Sequence, residues 1–270
     1  MNEWVRRSIR LAVSPGYLDR LLEIYPVERQ PPREIPTHIK EEIRRAYECR
    51  DKIRLIRILL RLRKFPIDNP YVAFLRRYPR ALNENPRLID LLSRELFSMS
   101  ADEIIGRCEQ PKKVSRQYGP LFFNWLKRHF TGLGVPFLPA DDLRRYDGPL
   151  AFLDGRNTAV MNFANKYLRC NLNKGRDFIA KICGKLYVIG EARFITEYGG
   201  EQLDRFRDAI KFIKDRTGDA LRIAVLDGVV WLPSDTEMYK TVISLKDDEI
   251  ALSALLLQDF FSQLSREACV

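Results

Sequence analysis

GRDFIAKICGKLYVIGEAR, residues 175–193, reads as two short strands joined by a tight turn. Asp177 to Ile182 is apolar apart from its charged first residue and Lys181. Leu186 to Phe194 is rich in β-branched and aromatic residues. Cys183-Gly184-Lys185 between them suits a turn, since Gly takes a positive φ without steric cost. Folding about Gly184 brings position 177 opposite 190 or 191. Side chains alternate along a strand, so Glu191 and Arg193 share a face. Two carboxylates and a cation then converge on a small patch in apolar strands, where an unpaired charge is costly. A divalent ion accounts for them. Hard oxygen donors in this number suit Mg²⁺, held partly by water and a substrate phosphate.

The segments around the hairpin predict the layers that cover it. Asn157–Leu168 reads as a helix beside it, bringing Asn165 and Lys166 near. After a loop at 195–200, a helix over 201–215 carries Leu203, Phe206, Ile210 and Ile213 on one face, with Gln202 and Arg205 on its first turns. Leu221–Leu226 is a buried strand, resumed by Val229-Val230-Trp231, and 250–264 is an amphipathic helix. The order helix, hairpin, helix, strand, helix gives an α/β (α+β) fold: a mixed central β-sheet flanked by helices.

Upstream, KKVSRQYGPLFFNWLKRHF (112–130) sets an apolar aromatic stripe between basic and amide side chains. It offers Arg116, Gln117, Lys127 and Arg128 to nucleic acid. Residues 131–148 read as loop. Residues 1–24 read as helix, and Pro26, Pro31, Pro32 and Pro36 then form a linker. A long helix capped by Thr37 carries Ile43, Ala46, Ile53, Ile56 and Leu60. Its other face holds Arg44, Arg45, Arg50, Arg54, Arg57, Arg61 and Arg63, either a solvated face or a phosphate contact. Short helices fill 66–110. The expected division is a helical N-terminal region, 1–110, for dimerisation, DNA clamping or both, and a core, 111–270.

Composition narrows the function. The 270 residues are enough for one large domain or two small ones. The 46 Lys and Arg against 36 Asp and Glu leave +10, which favours a polyanionic partner. Five scattered cysteines without CxxC spacing argue for reduced thiols and against a zinc site. His38 and His129 are too few for histidine-based catalysis. MNEWVRRSIR lacks the apolar core of a signal peptide, and no apolar run is long enough for a bilayer. A cytoplasmic protein with no membrane association is expected.

The chemistry that fits is phosphodiester hydrolysis. Asp177 and Glu191, with the Ala192 carbonyl as third ligand, would hold Mg²⁺, and Arg193 would hold the attacking water or stabilise the transition state. A structural ion pair inside a sheet is the competing reading. Acid-x-Arg also occurs at Glu42, Glu48, Asp142 and Asp154, but only Glu191 lies on an apolar strand paired through a turn to a second acid.

These residues resemble the core of type II restriction endonucleases of the PD-(D/E)xK nuclease superfamily. The likeness extends to SRQYGPLFFNWL, NFANKYLRCNLNKGRDF, IGEARFITEYGGEQLDRF, AVLDGVVW and SALLLQDFF, across about residues 112–264. It implies that Asp177 and Glu191 bind metal and that residue 193 is the catalytic cation. The chain departs from that pattern twice. Arg176 stands where the family often has Pro, and Arg193 where it usually has Lys. No acid-x-Lys occurs anywhere in the chain, so either Arg193 serves or Lys174, Lys181 or Lys185 assists. The resemblance implies a homodimer that cuts double-stranded DNA at a short sequence, beside a cognate DNA methyltransferase. Gln202, Arg205, Arg116 and Gln117 would read bases. A repair nuclease on the same core, a catalytically impaired DNA-binding protein and a basic scaffold with no DNA role are the alternatives.

Overall fold

The computed structural model describes residues 1–26, 32–111 and 118–268. The chain divides into two compact units, one of residues 1–27 with 114–270 and one of 28–113.

The larger unit is built on a six-stranded sheet in sequence order: β1 (Phe137–Leu138), β2 (Leu150–Leu153), β3 (Phe178–Ile182), β4 (Leu186–Ile195), β5 (Leu221–Gly228) and β6 (Ile250–Leu252). β2, β3 and β4 run antiparallel to their neighbours in that trio, while β1–β2, β4–β5 and β5–β6 pair in parallel. The β3–β4 hairpin is as expected. Cys183 (φ 48°) and Gly184 (φ 68°) both take left-handed conformations, and the Lys185 amide donates to the Ile182 carbonyl at 3.0 Å. Consecutive positive φ values match the right-handed twist of the strands.

Each sheet face buries its own cluster. One packs Phe178, Ala180 and Val188 against Phe122, Phe130 and Phe261. The other packs Ile179, Ile189 and Ala224 against Phe163, Phe206 and Trp231. The first face is covered by α9 (Tyr118–Gly132) and α14 (Leu257–Ala268) and the second by α11 (Thr158–Tyr167) and α12 (Gly200–Lys214). The helices α1 (Glu3–Ala12) and α2 (Tyr17–Ile24) also belong to this unit, and α1 packs on β6. Phe178 faces Gly190 across the hairpin, and a Cβ at Gly190 would overlap its ring.

The 28–113 unit is helical, with α3 (Thr37–Glu48), α4 (Lys52–Arg61), α5 (Val72–Arg77), α6 (Ala81–Glu84), α7 (Pro86–Phe97) and α8 (Ala101–Glu109) around Ile43, Leu55, Leu59, Leu92 and Ile104. The remaining helices, α10 (Ala140–Arg145) and α13 (Glu237–Ile243), belong to the sheet unit.

Several expectations are corrected. The single long helix from Thr37 is two, because Arg50 takes φ 52° and Asp51 starts α4 by accepting from the Arg54 amide at 3.0 Å. Pro36, not Thr37, is the residue before α3. The loop at 131–148 contains β1 and α10. The helix expected from 250 begins at 257, after β6 and a helical turn at Ala254–Leu256. Val229–Trp231 is a helical turn, not a resumed strand, since Gly228 at φ 92° redirects the chain. Cys49, Cys108 and Cys170 are free thiols, but Cys183 is disulfide-bonded, against the expectation of five reduced cysteines. Among the described residues no helix is long and apolar enough to cross a membrane.

Candidate active site

Asp177 stands one residue before β3, and Glu191 lies in the middle of β4. The pairing of Phe178 with Gly190 carries Asp177 to the side of Glu191, and the Asp177 amide donates to the Gly190 carbonyl at 3.0 Å. Asp177 Oδ2 accepts from the Ala192 amide at 2.8 Å. The Arg193 guanidinium reaches all three oxygens of the patch. It donates to Glu191 Oε1, donates to the Ala192 carbonyl at 2.8 Å, and lies 3.6 Å from Asp177 Oδ2. From the other side Arg176 donates to Glu191 Oε2. Arg176 also stacks over Phe212 at 4.1 Å and approaches Asp208, which is paired with Lys174. Glu191 is fully buried and bracketed by two guanidinium groups.

Burial sets the electrostatics. It pushes the Asp177 carboxyl above its ordinary range, against the pull of Arg193, the Ala192 amide, Arg156 and Arg176. It also lowers Arg176 to about 10, against the support of Asp208. Two acids held this far from water require positive charge nearby.

The patch opens into a cavity of about 460 Å³ lined by Tyr118, Gly119, Arg156, Asn157, Asp177, Ala192, Arg193 and Arg205, among others. Gly119 lets the start of α9 pass close, since a Cβ there would sit 3.3 Å from Asp177 Oδ1. Arg156, Asn157 and Tyr118 are additions to the expected site. Asn157 takes φ 53°, and its amide donates to the Arg176 carbonyl at 2.7 Å, which brings the β2–α11 connection to the hairpin. A larger cavity of about 900 Å³ is lined by Arg6, Arg10, Arg216, Asp247 and Glu267, with no converging buried acids, so size does not locate the chemistry.

The donor set fits a hard divalent cation. Two carboxylates and a carbonyl already converge on one positive group, the Arg193 guanidinium. Among the described residues no cluster of three or more His, Cys, Asp or Glu side chains could hold a metal. A divalent ion here would draw on the Ala192 carbonyl, water and a phosphate to complete its shell.

The expected DNA-contacting residues divide. Arg205 lines the cavity and pairs with Glu201 at 2.5 Å. Gln202 is buried at the start of α12, and its Oε1 lacks a partner among the described residues. Asn165 is taken up by the Leu172 backbone, donating to its carbonyl at 2.8 Å and accepting from its amide at 2.6 Å. Lys127 pairs with Asp154 at 2.6 Å, Arg128 donates to the Glu23 carbonyl, and Lys166 lies over Tyr167. Arg116 and Gln117 lie outside the described residues. Lys174, Lys181 and Lys185 do not line the cavity, and Lys181 donates to the Arg144 carbonyl at 2.6 Å.

Behind Arg193, the Phe194 ring stacks on Tyr25 at 4.8 Å, with Tyr118 edge-on at 5.0 Å. Tyr25 donates to Asp227 Oδ2 at 3.0 Å, and Asp227 Oδ1 accepts from Ser253 Oγ at 2.6 Å and the Ala254 amide at 3.3 Å. Burial raises Asp227 from 3.8 to about 6, against these hydrogen bonds. The folded state thus binds the proton more tightly than the unfolded one. Stability is greatest below the unfolded value and is lost as pH rises through about 6, by ~3 kcal/mol. Asn at this position keeps the acceptor and offers Tyr25 an amide. Asp227→Asn should match the wild type near pH 4 and exceed it by ~3 kcal/mol near pH 8 in urea unfolding. A constant difference between the two proteins across that range would refute the assignment.

The mixed sheet between helical layers, with acids meeting on adjoining strands, defines a restriction-endonuclease-like α/β protein. The chain belongs to the Tsp45I type II restriction enzyme family, whose model matches residues 2–264. It is a sequence-specific restriction endonuclease. No curated protein and no solved structure matches the chain.

Proposed function

We propose that this endonuclease is a type II site-specific deoxyribonuclease that cuts double-stranded DNA with Mg²⁺, on a PD-(D/E)xK core in which Arg193 replaces the usual Lys. The observation that carries this reading is the meeting of Asp177, Glu191 and the Ala192 carbonyl on one guanidinium.

Asp177, Glu191 and the Ala192 carbonyl would hold the ion. Bound there, the ion supplies charge to the scissile phosphate and lowers the pKa of a water. Arg176 stays on Glu191 Oε2 and fixes its orientation. Arg193 turns from the acids towards the phosphate, where a permanent cation stabilises the charge that builds in the transition state. It does not act as a base. Arg156 and Arg205, in the same cavity, suit the flanking phosphates.

The protein would act as a cytoplasmic homodimer, one site per strand of a symmetric sequence, beside a methyltransferase that protects host DNA. The helical unit of residues 28–113 would serve dimerisation, DNA clamping or both, and residues 1–27 with 114–270 would form the nuclease core. Digestion of a sequenced plasmid with Mg²⁺ should give discrete bands with mappable ends, and none with EDTA. A smear, or cutting only at branched DNA, would favour a repair nuclease instead.

A further inference from the structure

We propose that Arg54, Arg57 and Arg61 on α4 form a contact for the phosphate backbone of double-stranded DNA on the 28–113 unit. The proposal rests on the reading of the chain as an enzyme of duplex DNA.

α4 buries Leu55, Ile56, Leu59 and Leu60 and exposes these three arginines at spacings of three and four, which puts them on one face. Several other cations of this unit are engaged, although Arg45, Arg63, Arg77, Arg80 and Arg87 have no ion pair among the described residues. Lys40 pairs with Glu109 at 2.6 Å, Arg44 with Asp102 at 2.9 Å, Lys52 with Asp90 at 2.5 Å and Arg107 with Glu103 at 3.2 Å. Arg76 donates to the Leu60 and Leu62 carbonyls. Among the described residues Arg54, Arg57 and Arg61 have no such ion pair. Asp51, their acidic neighbour at the start of α4, is occupied by the Arg54 amide.

The three arginines line a surface groove of about 320 Å³ with Glu42, Asp51 and Ile58. The unit carries most of the chain's excess positive charge. Residues 28–113 hold 20 Lys and Arg against 13 Asp and Glu, a balance of +7 where the whole chain has +10. From Arg54 to Arg61 is about 10.5 Å along the helix axis, at about 1.5 Å per residue. A DNA strand presents one phosphate per about 3.4 Å of axis, so the row spans about three phosphates. Guanidinium groups suit phosphate oxygens bidentately. Glu42, on the same groove, would oppose a phosphate lying there.

The test uses the full chain on a duplex of arbitrary sequence, in EDTA, across a salt series. The triple variant Arg54→Gln/Arg57→Gln/Arg61→Gln should flatten the slope of log K against log salt by about 2.7, since each phosphate that goes unneutralised removes about 0.9. Binding should weaken alike for every sequence. Arg44→Gln/Arg107→Gln, which removes paired charges, should leave the slope within about 0.5 of wild type. Glu42→Gln should tighten binding several-fold, a gain that misfolding does not produce. A wild-type slope in the triple variant, or unchanged affinity in Glu42→Gln, overturns the proposal. If the wild type binds and cuts DNA while the triple variant keeps its slope, only this proposal fails. If the wild type binds no duplex, the enzymatic reading fails with it.

Discussion

Asp177→Asn and Glu191→Gln are each expected to lower DNA cleavage by about 10³-fold or more, with the uncut duplex still bound. Both changes remove a charge from a patch where three oxygens meet one guanidinium. Their structural costs differ. Asp177 Oδ2 accepts the Ala192 amide at 2.8 Å, and an Asn carbonyl keeps that bond. Glu191 bonds Arg176, which is itself buried, so a Gln there leaves a buried guanidinium short of its counter-charge. Such a change costs ~3–5 kcal/mol. Asp177→Asn is therefore the cleaner test of chemistry, and Glu191→Gln should unfold at lower urea. Single-turnover cleavage alongside duplex binding without metal separates the two effects. If either variant cut within about tenfold of wild type, the acids would not be catalytic.

The second large effect falls on Arg193. Its side chain is half-buried in the cavity wall and is the group that all three oxygens share. Arg193→Gln should lose about 10²- to 10³-fold in the cleavage step, the scale of one transition-state interaction. Arg193→Lys keeps the charge, though not the planar fork, and should stay within about tenfold of wild type. Equal losses in both would point to guanidinium geometry rather than charge. A wild-type rate in Arg193→Gln would exclude the residue from catalysis. Lys174 could not compensate without leaving Asp208.

The hairpin was legible because three local signals agree: two β-prone runs, a glycine at the turn and period-two alternation that puts Glu191 and Arg193 on one face. Helices with clear periodicity were legible too, as at α7, α11 and α12. The short strands β1, β2 and β6 were not. Strands of two to four residues, with β2 and β6 buried throughout, carry no alternation to read. The break between α3 and α4 turns on Arg50 in a left-handed conformation, which its residue type does not announce. At the site, the acids and their cation could be read from strand geometry, but Arg156 and Asn157 could not. They reach the cavity through a bridge between Asn157 and Arg176, which forms only once the tertiary fold is in place. Arg176 was visible as a departure from the family pattern. Its grip on Glu191 depends on reach across the hairpin end, which spacing does not encode.

The ring behind the strand of Glu191 and Arg193 has a consequence for how the protein is made. Tyr25 supports Phe194, yet its hydroxyl is tied to Asp227, 202 positions away, and Asp227 is held in turn by Ser253. A growing chain must emerge as far as residue 253 before residue 25 has its final anchor. Closing so long a loop comes late in folding. A chain that has not yet emerged as far as residue 253 therefore lacks the finished support behind the strand of Glu191 and Arg193.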